Sequence, residues 1–479
     1  MGNELLKTVY SPENFRKKGH ELVDQLADHL SASLNGTSDK VIRWTPPEDE
    51  YTYWKNFLEN GDTTQLFPKI IEHSTHVHNP KYIGHQVGPP APMASLAGLI
   101  SALLNNGMAV YEMGMAPTAM ERIITEFICS KIGYGENSRG FLTSGGTLAN
   151  LTALLSARKA ILKHDIWNMG NDGELGIMVC EEAHYCIERA AKIMGLGTKG
   201  IITIPATDNY SMDVSLLEEY YQKAVKEKLT VFAIVGSAPS TATGVFDNLE
   251  AIARFALKHN IWFHVDGAHG GASIFSPKYR PTLKGMDQAD SVVIDGHKMM
   301  MMPTITTALL FKNGNHSHST FSQKADYLLE QSEHEDWYNL AKRTFECTKT
   351  MMSIQWYTLL KTYGEAVFDA YVTTLYDLGS YFGERIEKNP QFELAVRPMS
   401  NIVCFRYIDG RSTTADLNHL NERIRQRLLE EGEYYIVQTK LRGVHYLRTT
   451  IMNPFTTPKD LNLLLDRVKT LALDISTSD

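Results

Sequence analysis

Between Gln86 and Lys312 the chain alternates short apolar runs with longer amphipathic ones, and this rhythm restricts the fold more than any other feature. The runs lie at 140–143, 176–180, 200–204, 230–235, 261–265, 291–294 and 305–311. Each spans four to eight residues and most are rich in Val, Ile or Phe, as suits strands buried on both faces of a mostly parallel sheet. Helix-forming stretches such as 147–162 and 249–259 supply the crossovers, which makes this an α/β region. Three domains are expected: a helical extension at 1–85, a large α/β domain at 86–364 and a small α+β domain at 365–479. The extension reads as a helix over 12–33 followed by a connection rich in Pro and aromatic residues. A polar stretch at 313–338 has no clear periodicity and reads as a mobile loop. A helix at 356–363 precedes the small domain. Helices are expected there at 366–388, 414–431 and 458–473, and strands at 392–396, 401–407, 434–438 and 445–450.

Composition removes several function classes. A formal charge of −8 with no basic run argues against nucleic-acid binding. The longest mostly apolar run, 91–104, is too short to span a bilayer and contains Pro92. The N-terminus has no apolar stretch followed by a small-residue cleavage site, and Leu6 leaves a Met-Gly myristoylation pattern incomplete. Five scattered cysteines without a CxxC pair fit reduced thiols. A cytoplasmic enzyme with no membrane or nucleic-acid partner is the resulting expectation.

Three segments carry chemistry. In TSGGTLANLTAL, Thr143 to Leu154, a strand runs into two glycines and then a helix. Gly146 and Thr147 stand either at an anion-binding helix start or at an ordinary turn capped by Thr147. In HVDGAHGG a buried strand ends at Asp266, which faces a crevice or serves as a turn residue. The small residues Gly267, Ala268, Gly270 and Gly271 would let a flat ring lie against the backbone. In SVVIDGHKMMMMP, Lys298 follows a strand beside His297, and apolar neighbours are expected to lower its pKa and favour imine formation. A phosphate cup, a carboxylate and a lysine, each at a strand terminus, are what pyridoxal 5′-phosphate requires.

With these segments the chain resembles the group II pyridoxal-phosphate amino-acid decarboxylases, relatives of the aromatic-L-amino-acid, glutamate and 2,4-diaminobutyrate enzymes. The resemblance runs from His78-Asn79-Pro80-Lys81-Tyr82 to Leu447-Arg448. It implies an aspartate-aminotransferase-like fold (fold type I), with a mostly parallel seven-stranded sheet and a small C-terminal α+β domain. It also implies a homodimer with active sites at the subunit interface. By position, Lys298 resembles the Schiff-base lysine, Asp266 the partner of the pyridine nitrogen, and His184 the histidine stacked on the ring. Gly146, Thr147 and His297 match phosphate contacts, Thr241 a threonine beside the cofactor or substrate carboxylate, and Ala268 the small residue on the other ring face. His85 and Gln86, with Tyr111-Glu112-Met113, fall on the substrate side, and Arg448 matches a C-terminal family arginine. Tyr338 is the candidate for the loop tyrosine that protonates the carbanion.

The implied reaction is decarboxylation of an L-amino acid to its amine and carbon dioxide. An aldehyde synthase, transaminase or carbon–carbon lyase on the same fold is the alternative. Gly296 and Met299 stand where the family has proline or alanine and tryptophan beside the lysine. The ending LRTTIMNPFTT resembles the diaminobutyrate and lysine branch, and NNGMAVYEMGMAPTAME the glutamate and sulfinoalanine branch, so the side chain of the substrate stays open. His73, His76, His78 and His85 lack accompanying Cys or acidic ligands at zinc spacing, so no metal is expected. His316 and His318 in a polar stretch read as solvated.

Overall fold

The computed structural model describes residues 2–38, 40–171, 173–321 and 336–478. The chain divides into two compact units, one comprising Gln86–Gly383 and Val396–Val403 and the other Met1–His85, Glu384–Ala395 and Cys404–Asp479.

The first unit is built on β1 (Arg139–Thr143), β2 (Leu175–Cys180), β3 (Ile201–Ile204), β4 (Thr230–Ser237), β5 (Trp262–Asp266), β6 (Ser291–Asp295) and β7 (Thr307–Phe311). All seven apolar runs are strands, and they form one sheet in the order β1-β7-β6-β5-β4-β2-β3. β3, β2, β4, β5 and β6 pair in parallel, while β7 runs antiparallel to both of its neighbours. Every residue of β2, β5, β6 and β7 is buried, which is why these segments are apolar without alternation. The Gly146–Ile161 helix lays Ala149, Ala153, Leu154 and Ala157 into the core that includes Phe141, Ile177, Val179, Ala233 and Val293. The Leu249–His259 helix opens where the Asn248 side chain accepts a hydrogen bond from the Ala251 amide at 3.1 Å, and closes at Asn260 in the left-handed conformation.

Several helices depart from the sequence reading. Pro47–Asn60 and Pro92–Leu104 fall in stretches read as a connection and as a bare apolar run, and Met115–Ile132 was not assigned. In the first two, proline occupies the first helical position, where its missing N–H and fixed φ start a helix rather than break one. The Pro92–Leu104 helix leaves Leu96, Leu99, Ile100, Leu103 and Leu104 exposed. In the polar stretch 313–338, Asn315–Ser319 is a short helix. The expected mobility of that stretch lies outside the described residues over 322–335. No helix among the described residues is long and apolar enough to cross a membrane.

A second sheet joins β8 (Phe392–Leu394), β9 (Ile402–Tyr407, in the second unit from Cys404 on), β10 (Val437–Leu441) and β11 (Val444–Thr450) in the order β10-β11-β9-β8. The strand expected at 434–438 is displaced to Val437–Leu441. Arg442 and Gly443 both have positive φ, so a two-residue hairpin turn sets the register Leu441↔Val444. Tyr435 instead forms an isolated bridge with Tyr82.

Gly296 explains one departure from the family pattern. A Cβ added there would lie 2.2 Å from Cζ2 of Trp356, a buried indole whose Nε1 donates to Thr306 Oγ1 at 2.9 Å. Gly296→Ala is therefore expected to lower stability by about 1–3 kcal/mol through overpacking. Trp356→Leu in the same chain should recover part of that loss, as thermal melting of the single and double variants would show.

Candidate active site

Parallel strands bring their carboxyl ends to one edge, and the loops that leave that edge converge on a single cavity of about 310 Å³. Ser144 to Thr147 follow β1, His184 follows β2, Thr241 follows β4, Asp266 ends β5, and Asp295, His297 and Lys298 lie at the end of β6. Gly146, Thr147, His184, Thr241, Asp266, Ala268, His297 and Lys298 thus line one space although they span more than 150 residues of sequence.

The helix start after β1 has no side-chain cap. Its N-cap is Gly145 at φ 98°, and the helix begins at Gly146, so Thr147 lies inside the first turn instead of capping it. The first-turn amides therefore meet the cavity without a side chain to satisfy them, an arrangement suited to an anion. A Cβ at Gly146 would lie 3.1 Å from Asp295 Oδ1, so a side chain there would press on that carboxylate. The Glu346 carboxylate accepts from the Ser144 amide and hydroxyl at 3.1 and 2.7 Å and from Thr143 Oγ1 at 2.8 Å, which pins the turn.

Lys298 Nζ lies 3.0 Å from Asp295 Oδ2, with the lysine side chain 20% exposed and the aspartate 2%. Burial pushes the ammonium's pKa down, but the Asp295 and Asp266 carboxylates outweigh it, and the net shift is upward. The lowered pKa expected from apolar neighbours is corrected here, because the sequence did not reveal the carboxylate three residues before the lysine as its partner. Asp266 both faces the cavity and serves the turn that follows β5. It is buried, accepts from the Ala268 amide at 3.2 Å and from Asn150 Nδ2 at 3.1 Å, and is shifted upward by burial against the opposing charge of Lys298.

His184 combines two roles read from the sequence as alternatives. It caps the Tyr185–Ile193 helix, with Nδ1 accepting from the Cys186 amide at 3.3 Å, and it lines the cavity. With Nδ1 accepting, the ring's proton stands on Nε2, and burial lowers its pKa against the Asp266 and Asp295 carboxylates. His297 Nδ1 lies 2.9 Å from the Thr306 carbonyl, and its Nε2 lies 3.6 Å from Asp295 Oδ2. The glycines after Asp266 do not clear room for a ring. Gly267 packs on the Val293 carbonyl, Gly270 on Pro239 and Gly271 on Ile294, and only Ala268 of that group faces the cavity.

Tyr338 does not line the cavity; its ring packs 5.6 Å from Tyr111, whose amide donates to Asn339 Oδ1 at 3.1 Å. Gln86 opens the unit that holds the cavity without lining it, and His85 and Arg448 belong to the other unit. In that unit the His85 ring lies 5.8 Å from Tyr435, and burial followed by the charges of Arg448 and Arg425 lowers its pKa. His73 binds Glu50 at 2.9 Å, and His76 lies 3.2 Å from both Ser38 Oγ and the Ile71 carbonyl. Among the described residues no group of three or more His, Cys, Asp or Glu side chains could hold a metal ion. His316 is half-buried and packs edge-on to Trp262 at 5.0 Å, so it is not the solvated residue expected.

Sequence reading passed over Asn150, Cys186, Asp295 and Ser237, which also line the cavity. An asparagine on the apolar face of a helix was the available clue to the first. Asp295 was visible as a strand end, but its pairing with Lys298 was not.

The model for the pyridoxal-dependent decarboxylase conserved domain matches residues 55–408. The chain belongs to that family. Members are carboxy-lyases that use pyridoxal phosphate, and so is this protein. It is 25% identical to an aromatic-L-amino-acid decarboxylase of Bacillus atrophaeus, over 98% of this chain and 97% of that one. It is 27% identical to an L-2,4-diaminobutyrate decarboxylase of Acinetobacter baumannii, covering 92% of each chain. The solved glutamate decarboxylase domain of a Vibrio parahaemolyticus diaminobutyrate-pyruvate transaminase and L-2,4-diaminobutyrate decarboxylase superposes with a TM-score of 0.82 at 26% identity, covering 94% of this chain and 96% of that one. Mouse CSAD superposes with a TM-score of 0.89 at 22% identity, covering 96% and 99%, which bears on the fold alone. The family architecture is the fold type I arrangement. A helix start open to an anion, a lysine, a buried carboxylate, and a histidine and an alanine lining the same cavity form a donor set that fits the cofactor.

Buried neutral histidine makes the site's unit sensitive to acid. Burial holds His264, which lies under the cavity on β5, at a pKa of about 3, against 6.5 when free. Below pH 6.5 the unfolded chain binds a proton that the folded chain refuses, so stability falls as pH drops from 6.5 toward 3. The slope contributed by this residue approaches about 1.4 kcal/mol per pH unit. Denaturant unfolding at several pH values should show a shallower acid slope in His264→Gln than in the unaltered chain.

Proposed function

We propose that this decarboxylase converts an L-amino acid to the corresponding amine and carbon dioxide, with Lys298 holding the cofactor through its aldehyde. The observation that carries the reading is the cavity that gathers Lys298, Asp266 and His184 around an uncapped helix start. Gly146, Thr147 and His297 would hold the phosphate, Asp266 the ring nitrogen, and His184 and Ala268 would flank the ring. Thr241 would meet the substrate carboxylate. When bound, pyridoxal phosphate supplies an electron sink for the pair left at Cα as carbon dioxide departs.

The chain's own groups then have assignable tasks. Asp295, at 3.0 Å, steadies the lysine ammonium whenever the amine is released. His184 keeps a proton on Nε2 beside the cavity, where it is available to the reacting carbon. Tyr338 is the second candidate for that proton, and His85, Gln86 and Arg448 are substrate-side candidates. Incubation with pyridoxal phosphate and a panel of aromatic, acidic and diamino L-amino acids should yield carbon dioxide and amine in equal amounts from one class. Borohydride should fix the cofactor to Lys298, and Asp266→Asn should lower turnover by roughly two to three decades. Aldehyde and ammonia in place of amine would favour the aldehyde-synthase alternative, and labelling of another lysine would remove Lys298 from the mechanism.

The active form is proposed to be a homodimer. An exposed row of Leu96, Leu99, Ile100, Leu103 and Leu104 on the Pro92–Leu104 helix supports this, since one apolar helix face of that kind needs cover. Leu99→Glu combined with Leu103→Glu is expected to shift sedimentation from dimer to monomer, and an unchanged dimer would place the interface elsewhere.

A further inference from the structure

Behind Asp266 runs a row of polar side chains that the reaction itself does not call for. Trp262, His264 and Asp266 alternate along β5 and so share one face of the sheet. On β6, Ser291 stands opposite His264 in the parallel register. Asn150 enters from the Gly146–Ile161 helix and completes the row. All are buried: His264 and Ser291 are 0% exposed, Asn150 1% and Trp262 2%.

The contacts form a continuous chain. Trp262 Nε1 lies 2.8 Å from Ser291 Oγ, and Ser291 Oγ lies 2.8 Å from His264 Nδ1. His264 Nε2 lies 2.7 Å from Asn150 Oδ1, and Asn150 Nδ2 lies 3.1 Å from Asp266 Oδ2. The direction of every bond is fixed from the two ends. An indole nitrogen only donates, so Ser291 accepts from Trp262. An ionised carboxylate only accepts, so the Asn150 amide turns its N–H to Asp266 and its oxygen to His264. A neutral His264 then has its one proton on Nε2 and must accept at Nδ1 from the Ser291 hydroxyl. Each group donates to the next, and the row terminates on Oδ2 of Asp266.

We propose that Asn150 and His264 are positioning residues for Asp266, and that the chain from Trp262 fixes the plane and the charge of its carboxylate toward the cofactor's ring nitrogen. This rests on the assignment of Asp266 to that nitrogen. Asp266 takes one bond at each oxygen, from Ala268 and from Asn150, so its rotation is stopped while its remaining lone pairs stay free. Lys298, His184, Asp295 and Cys186 also face this carboxylate, and the Asn150 amide donates to Cys186 Sγ at 3.3 Å as well. Burial favours a protonated Asp266, and a proton on the aspartate is one withheld from the ring. Aligned donors directed at an ionised oxygen oppose that, and a chain of them acts more strongly than a single bond.

The test uses holoenzyme loaded with pyridoxal phosphate isotopically labelled at the ring nitrogen, whose chemical shift reports its protonation. The unaltered enzyme should keep the ring protonated from about pH 6 to about pH 9. Asn150→Leu should lower the midpoint by about one pH unit or more, and Ser291→Ala should lower it by less. His264→Gln, which keeps an N–H for Asn150, should stay close to the unaltered enzyme. Turnover in Asn150→Leu should fall roughly tenfold with little change in KM, while borohydride still fixes the cofactor to Lys298. A titration midpoint of the ring nitrogen that is unchanged from the unaltered enzyme in both Asn150→Leu and Ser291→Ala overturns the proposal, even if both melt at lower temperature. If Asn150→Leu does not load, Ser291→Ala decides by the same spectrum. An unprotonated ring in the unaltered enzyme would instead overturn the assignment of Asp266, and the positioning role with it.

Discussion

Charge withdrawn from water has to be balanced by charge, and the cavity of this protein is organised by that demand. Lys298 and Asp266 each carry a group that burial alone would neutralise. Together they hold one another: Asp295 sits 3.0 Å from the lysine, and the lysine opposes the upward drift of Asp266. Removing any one would leave an uncompensated charge beside buried groups, which is why the site reads as a single object and not as three motifs. The lysine's raised pKa follows from the same balance.

The balance works only because the backbone is held still. β1 is gripped by a buried ion pair in which Lys349 Nζ lies 2.6 Å from Glu121 Oε1, while the Leu142 amide donates to the same carboxylate oxygen at 3.0 Å. A pair of this kind defines geometry more than it adds stability, since desolvation offsets much of its attraction. Here the geometry it defines is the exit of β1 into the Ser144–Gly146 turn. Glu346 holds the far side of that turn by three hydrogen bonds. The uncapped helix start at this end of the cavity is thereby fixed by residues about two hundred positions further along the chain.

Membership of the decarboxylase family explains the shared cofactor set, and the departures show where this chain solves the same problem differently. Beside the lysine, a tryptophan distant in sequence fills the space over Gly296. Only glycine admits the Trp356 indole at that point, and the indole is tied to Thr306 two residues after the turn's neighbouring cis peptide begins.

Much was legible in advance because the forces were local. Short apolar runs without alternation suit strands buried in a sheet, so sheet and fold class followed from pattern, as did the strand-end placement of Asp266 and Lys298. The helices opened by Pro47 and Pro92 were hidden because proline reads as a breaker until its position in the helix is known. Asn150, His264 and Asp295 were hidden for another reason: each looks like an ordinary polar residue until its partner is placed beside it. His264 meets Asn150 across 114 positions, and no periodicity records a contact of that range. The sequence by itself determined which segments are strands and which residue types the cofactor needs. Only the tertiary structure decided the charge state of Lys298, the double role of His184 and the partners of Asp266, because hydrogen bonding and electrostatics depend on distances that packing alone sets.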